Sequence, residues 1–161
     1  MGDIAVRLNR EYATRHLFVA VLFTAMGCWF GYDGFVRYPS TPAEVLYEEI
    51  EAAPPPAGFD AEGFKRQKTQ SQIGLMAACL AAGLVVGLRL LGAAKFRFAS
   101  DDGGFACGGR RYSYSDIRRV DGSKWDKKGI VRLEMADGRR ISLDSWHHTG
   151  IDAFYEKRLK K

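Results

Sequence analysis

Residues 73–91, IGLMAACLAAGLVVGLRLL, constrain this chain most: nineteen residues with a single charge, Arg89. At about 1.5 Å of rise per residue, a helix of that length covers roughly 28 Å, close to the hydrocarbon thickness of a bilayer. A soluble core helix carries a polar face at helical spacing, and this run has none before Arg89. It predicts a transmembrane helix. A second apolar block, residues 17–36, reads LFVAVLFTAMGCWFGYDGFV, with Asp33 near its far end. Tyr12, Trp29, Tyr32 and Tyr38 lie towards its ends, where aromatic side chains gather at membrane interfaces. The overall hydrophobic content of 47% is ordinary. Its concentration in two blocks is what points to a membrane.

The residues from Ala25 to Cys28 resemble a lipoprotein cleavage site, but Ala stands where Leu is usual and apolar sequence continues through Trp29 and Phe30. The block is therefore expected to stay as an anchor. Lys and Arg near membrane ends favour the cytoplasm. Arg7, Arg10 and Arg15 precede the first span, and Arg89, Lys95 and Arg97 end or follow the second. The chain divides into a cytoplasmic segment (1–16), a first span (17–36), an extracytoplasmic helical loop (37–72), a second span (73–91) and a cytoplasmic domain (95–161). Both termini are then cytoplasmic in a multi-pass protein. Arg37, Lys65, Arg66 and Lys68 dissent from that orientation, although acids share their loop.

In the loop, Thr41 and Pro42 start a helix that runs through Glu44, Glu48 and Glu49 to Ile50. Pro54, Pro55 and Pro56 end it. A second helix begins near Asp60 and runs into the second span. Val45, Leu46, Ile50, Phe59 and Phe64 are the candidates to pack this loop. Gly27 and Gly31 in the first span, and Gly83 and Gly87 in the second, stand four apart. Such small residues let helix backbones approach, which predicts packing within the hairpin, against a second copy or against another protein. Cys28, Cys79 and Cys107 have no metal or redox spacing and read as small buried hydrophobes.

From Lys95 the pattern changes to short strands. Residues 95–99 alternate charged and apolar, and Asp101 to Gly104 is turn chemistry. Short strands follow around 105–107, 111–114 and 117–120. Residues 130–135 and 140–143 flank Asp137 and Gly138, a strong hairpin signal. Ile151, Phe154, Tyr155, Arg158 and Leu159 follow helical spacing in a closing helix. The count is about six antiparallel strands and one helix. Trp125 and Trp146 read as core or edge packing.

Tyr112 to Ile117 (YSYSDI), Trp125, Lys128 to Ile130, Asp137 with Gly138, and Leu143 to Trp146 (LDSW) carry a resemblance. Residues 95–161 are similar to pleckstrin-homology-like (PH-like) domains, and the whole resembles bacterial membrane proteins that join such a domain to a pair of transmembrane helices. The resemblance implies a membrane α-helical hairpin plus a small mostly-β PH-like domain with a C-terminal helix, placed in a bacterial inner membrane. Two departures stand out: the segment is short for such a domain, and its first turn is acidic where phosphoinositide-binding members carry basic residues.

Candidate chemistry is sparse. His147 and His148 are adjacent, so on a strand they point to opposite faces and do not easily share a metal; they read as a polar loop. The glycine pairs at 103–104 and 108–109 lack the Lys and Ser or Thr of a phosphate loop. No catalytic group, metal or cofactor is expected. Arg110, Arg111, Arg118, Arg119, Lys124, Lys127 and Lys128 fall close together, interleaved with Tyr112, Tyr114 and Trp125. Beside a membrane they suggest an anionic lipid surface or an acidic protein partner before nucleic acid. The expected function is that of a non-enzymatic adaptor or accessory subunit. The alternative is a membrane enzyme or transport component with a site at the hairpin. Asp33 and Arg89 are the charges available to it, and they belong to opposite leaflets.

Overall fold

The computed structural model describes residues 4–160 of the chain. Two units divide it: residues 17–88, and a second unit built from residues up to 16 together with 89 onward.

The first unit is a helical hairpin with a small cap. Helix α1 (Arg10–Tyr32) enters it and runs on through a π-helical stretch, Asp33–Arg37, and a last turn, Tyr38–Ser40. Thr41 then turns extended, with its hydroxyl donating to the Arg37 carbonyl at 2.7 Å. Pro42 leads into the outer helix, Ala43–Glu51, which stops at Ala52 in a left-handed conformation before the prolines. Asp60 caps the second long helix, Ala61–Lys95, by accepting the Gly63 amide at 3.0 Å. Both long helices are long and apolar enough to cross a membrane, with mean hydropathies of 1.4 and 2.1. Their apolar side chains are largely exposed, Phe18 at 67% and Leu84 at 63%.

Close helix approach inside the hairpin is set by glycine. A Cβ at Gly27 would lie 2.7 Å from Leu80 Cδ2, one at Gly31 3.0 Å from the Met76 sulfur, and one at Gly83 3.0 Å from Thr24 Oγ1. Gly87 meets nothing within 4 Å and leaves its side of the helix open. In the cap, Leu46 is fully buried and the Tyr47, Phe59 and Phe64 rings cluster with centroids 4.7–5.4 Å apart. Val45 and Ile50, expected to pack there, are instead 44% and 37% exposed. Val45 lies off the face that carries the buried Ala43 and Leu46, whereas Ile50 shares that face but lies in the last turn of the helix.

The other unit is mostly β. Strands β3 (Phe98–Ser100), β4 (Phe105–Cys107) and β5 (Arg110–Tyr112) form an antiparallel meander, as do β6 (Ile117–Lys124), β7 (Ile130–Met135) and β8 (Arg140–Asp144). Asp137 and Gly138 make the last hairpin turn as their sequence predicts: Gly138 has φ +82°, and Asp137 accepts the Arg139 amide at 3.0 Å. The closing helix, Ile151–Phe154, continues as a π-helical turn, Tyr155–Leu159. Alternation along β7 buries Val131, Leu133 and Met135. These join Phe98 and Phe105 from the other sheet, Leu143, and Ile151 and Phe154 of the helix in one core.

The N-terminal segment belongs to this unit, which the sequence does not suggest. Strand β1 (Ile4–Ala5) pairs with β3 and completes a four-stranded sheet in the order β1-β3-β4-β5. Strand β2 (Arg7–Leu8) pairs with β9 (His148–Thr149). Between and after them, the Val6 amide donates to the Phe98 carbonyl at 3.3 Å and the Asn9 amide to the His147 carbonyl at 2.8 Å. Gly150 permits this docking. Its φ is +93°, and a Cβ there would sit 2.9 Å from the Ala5 carbonyl oxygen. Trp146, expected to pack, is 46% exposed, because the β8–β9 loop turns it away from the core. Trp125 does pack, stacked on Tyr155 at 4.2 Å.

Residues 1–9 joined by a flexible linker to residues 96–161 will therefore be more stable than 96–161 alone. Burying an isoleucine such as Ile4 contributes about 1.5–3 kcal/mol, equivalent to a melting midpoint roughly 6–24 °C higher for a domain of this size. Equal midpoints by circular dichroism would remove β1 and β2 from the stable fold.

Candidate functional site

The basic run is divided by the fold. Arg110 and Arg111 lie on β5 in the four-stranded sheet, while Arg118, Arg119 and Lys124 lie on β6, at the edge of the three-stranded one. Register shifts between Ile117 and Arg119, leaving Arg118 at a bulge, and Arg119 stands opposite Glu134. Lys127 and Lys128 sit on a helical turn, Trp125–Lys128, closed by Gly129 at φ +64°. All seven cations are exposed. Arg111 is engaged: its Nη2 donates to both Asp101 oxygens, at 2.9 and 2.7 Å. Asp102 of the same acidic turn pairs with Arg158 at 2.7 Å. The other six cations form no ion pair among the described residues, and the structure does not gather them into one pocket.

A different group of residues does converge, and sequence reasoning missed it. All three histidines of the chain line one cleft of about 450 Å³, with Tyr12, Arg89, Gly92, Ala93, Phe96, Ser142 and Asp144. Helix α1 supplies two of them. Asn9 caps its start by accepting the Glu11 amide at 2.9 Å, and Tyr12 and His16 then fall one turn apart on the same face. Their rings lie 3.9 Å apart, and His16 Nδ1 is 2.9 Å from the Tyr12 carbonyl. A carbonyl only accepts, so Nδ1 carries the hydrogen and Nε2 is the free edge.

The β8–β9 loop supplies the rest. Asp144 Oδ1 accepts the Trp146 and His147 amides at 2.8 and 3.3 Å, and Oδ2 faces His147 Nδ1 at 3.4 Å. That geometry sets the His147 ring 4.5 Å from Tyr12. His148 opens strand β9, one residue after the turn that carries His147. It is buried against Phe96, and its Nε2 donates at 2.9 Å to the Ala93 carbonyl in the last turn of the second long helix, which also accepts the Phe96 amide at 3.2 Å. Its role is that of a helix cap. Tyr12 is only 3% exposed, and its hydroxyl makes no hydrogen bond to a described residue. Among the described residues no group of three or more His, Cys, Asp or Glu is placed to hold a metal.

Tyr12 and His16 at helical spacing were the one signal available in the sequence. Their meeting with His147 depends on the β2–β9 register, and strands of two residues leave no periodic trace. Elsewhere, burial pushes the Cys107 thiol up from its ordinary value, which keeps it protonated and unreactive. All three cysteines are free thiols.

The Arg111 hydrogen bond, aided by the Gly103 amide, holds the Asp101 carboxyl below its ordinary value of 3.8. Stability from this carboxylate is present above the ordinary value and is lost as pH falls through the lowered one. Arg111→Ala should therefore move the acid-unfolding midpoint to higher pH. An unchanged midpoint would show that solvent screens the pair to no effect.

No protein-family model matches this chain, and neither a curated protein nor a solved structure is significantly similar to it.

Proposed function

We propose that the chain is a bacterial inner-membrane protein that crosses twice and holds a non-enzymatic PH-like domain on the cytoplasmic face, as an adaptor for an anionic surface. The observation that carries the architecture is the pairing of β1 with β3 and β2 with β9. Residues before the first apolar helix share sheets with residues after the second, so two crossings return the chain to the side it left. Removing the first helix as a signal would also remove both strands. The division into four strands, three strands and a closing helix supports the PH-like reading. It also supplies the strand by which residues 95–161 alone fall short.

The orientation follows from Arg7, Arg10, Arg15, Arg89, Lys95 and Arg97 on one side. Of the dissenting cations, Arg37 is tied to Glu49 at 2.7 Å and Lys68 to Glu51 at 3.2 Å. The exposed cations Arg110, Arg118, Arg119, Lys124, Lys127 and Lys128 carry the binding role. Each cation near an anionic leaflet contributes about 1 kcal/mol, so a few suffice for a weak, reversible hold on lipid or on an acidic partner protein. The acidic first turn, with Asp101 and Asp102 already paired, argues against a dedicated inositol-phosphate pocket there.

One observation favours a second reading, a transport component or enzyme with its site in the hairpin. Asp33 is 5% exposed inside a π-helical stretch, and Gln72 Oε1 is buried without a partner. Such stretches recur at functional sites. Asp33→Asn would abolish a transport or turnover activity while leaving vesicle binding unchanged.

A reporter fused after Lys161 should be active only in its cytoplasm-dependent form, and a periplasmic signal would overturn the orientation. Residues 1–9 linked to 96–161 should co-sediment with vesicles containing phosphatidylglycerol and be released as salt shortens the Debye length to well below about 8 Å. Lys127→Glu with Lys128→Glu should weaken that binding at least tenfold. Salt-independent binding would reject the electrostatic reading, and no binding would move the surface's target to a protein.

A further inference from the structure

We infer that the cleft holding Tyr12, His16, Arg89 and His147 is a binding site for the phosphate of an anionic phospholipid headgroup, separate from the basic run. The inference rests on the reading of the two long helices as membrane spans. His16 immediately precedes the first apolar block, and Arg89 lies near the end of the second. Both therefore mark the depth at which a span leaves the hydrocarbon, where lipid phosphates lie. The rim carries the side chains of that depth. Trp146 is 46% exposed, with the Arg15 guanidinium 5.7 Å from its ring centroid. An exposed tryptophan beside a cation is a pairing that suits a headgroup interface.

The chemistry of the cleft suits an oxyanion. Arg89 forms no ion pair among the described residues and offers a planar fork that matches phosphate. His16 and His147 each turn Nδ1 towards a protein oxygen, at 2.9 and 3.4 Å. Each keeps its Nε2 edge free, and in the charged ring that edge donates. Tyr12 adds a hydroxyl with no partner on a residue that is otherwise buried, and Ser142 adds another hydroxyl to the lining. Asp144 is the one acid of the lining. Its carboxylate is already engaged by two backbone amides and by His147, so it orients the ring instead of opposing the ligand. A volume of about 450 Å³ admits a glycerophosphate headgroup.

The chain has three histidines and all line this cleft, so imidazole resonances read the site in the unaltered protein. The full chain, labelled with ¹⁵N-histidine in neutral maltoside micelles, is titrated with dihexanoyl phosphatidylglycerol, dihexanoyl phosphatidylcholine or inorganic phosphate. The expected result is a saturable shift of His16 and His147 with phosphatidylglycerol, at least tenfold weaker with phosphatidylcholine and with phosphate. Arg89→Gln and His147→Gln should each weaken it at least tenfold with melting unchanged, whereas Lys127→Glu with Lys128→Glu should leave it as it is. No shift, an equal response to phosphatidylcholine, or an equal response to phosphate alone would each overturn the lipid assignment. Alkaline carbonate extraction separates this from the reading beneath it. A chain released without detergent does not span the membrane, while a chain that stays membrane-bound yet shows no shift overturns the cleft alone.

Discussion

Backbone hydrogen bonds between residues 4–9 and strands that lie beyond both long helices hold this architecture together. Ile4 opposes Ser100, Leu8 opposes His148, and the amides of Val6 and Asn9 reach the carbonyls of Phe98 and His147. Each bond adds only about 0.5–1.5 kcal/mol net, but their placement decides much else. They seat Ile4 in the core, cover one edge of β3, and fix where helix α1 begins. Because Asn9 both docks on His147 and caps the helix, the same residue sets the register that brings Tyr12 and His16 to the β8–β9 loop.

Much of this fold could be read from local pattern. The two long helices, the outer helix after Pro42, the helix start near Asp60, the hairpin at Asp137 and Gly138, and the closing helix all leave short-range signatures: apolar length, a proline, helical spacing, a turn dipeptide. What could not be read has no such signature. Strands β1, β2 and β9 are two residues each, too short for alternation to show, and their partners lie far off in sequence. Trp146 illustrates the same limit. Its composition suggests burial, yet Asp144 accepts two successive amides after it and turns the loop outward. Val45 and Ile50 look apolar enough to pack, but Val45 lies off the helix face that buries Ala43 and Leu46, and Ile50 lies in the last turn.

The same division runs through the two candidate surfaces. The seven cations of the basic run were legible because they are neighbours in sequence, and the fold then spreads them over two sheets and a turn. The histidine cleft was illegible because its members come from three distant stretches, and the fold draws them together. Proximity in sequence yields a diffuse electrostatic face. Convergence in space, with an aspartate fixing one ring and a backbone carbonyl another, yields a shaped one.

Placing strand β1 ahead of the first apolar helix also orders events during synthesis. Ile4 emerges from the ribosome early, but its partner Ser100 appears only after the second apolar helix is complete. Pairings this distant in sequence close late. Until then the segment waits unpaired, and on the proposed two-span reading it finds β3 only if an even number of crossings has returned the chain to its starting side. A molecule inserted once would strand β1 across the bilayer from its sheet, leaving Phe98 and its neighbours uncovered. On the proposed two-span reading, every copy that fails to cross twice therefore leaves this sheet one strand short.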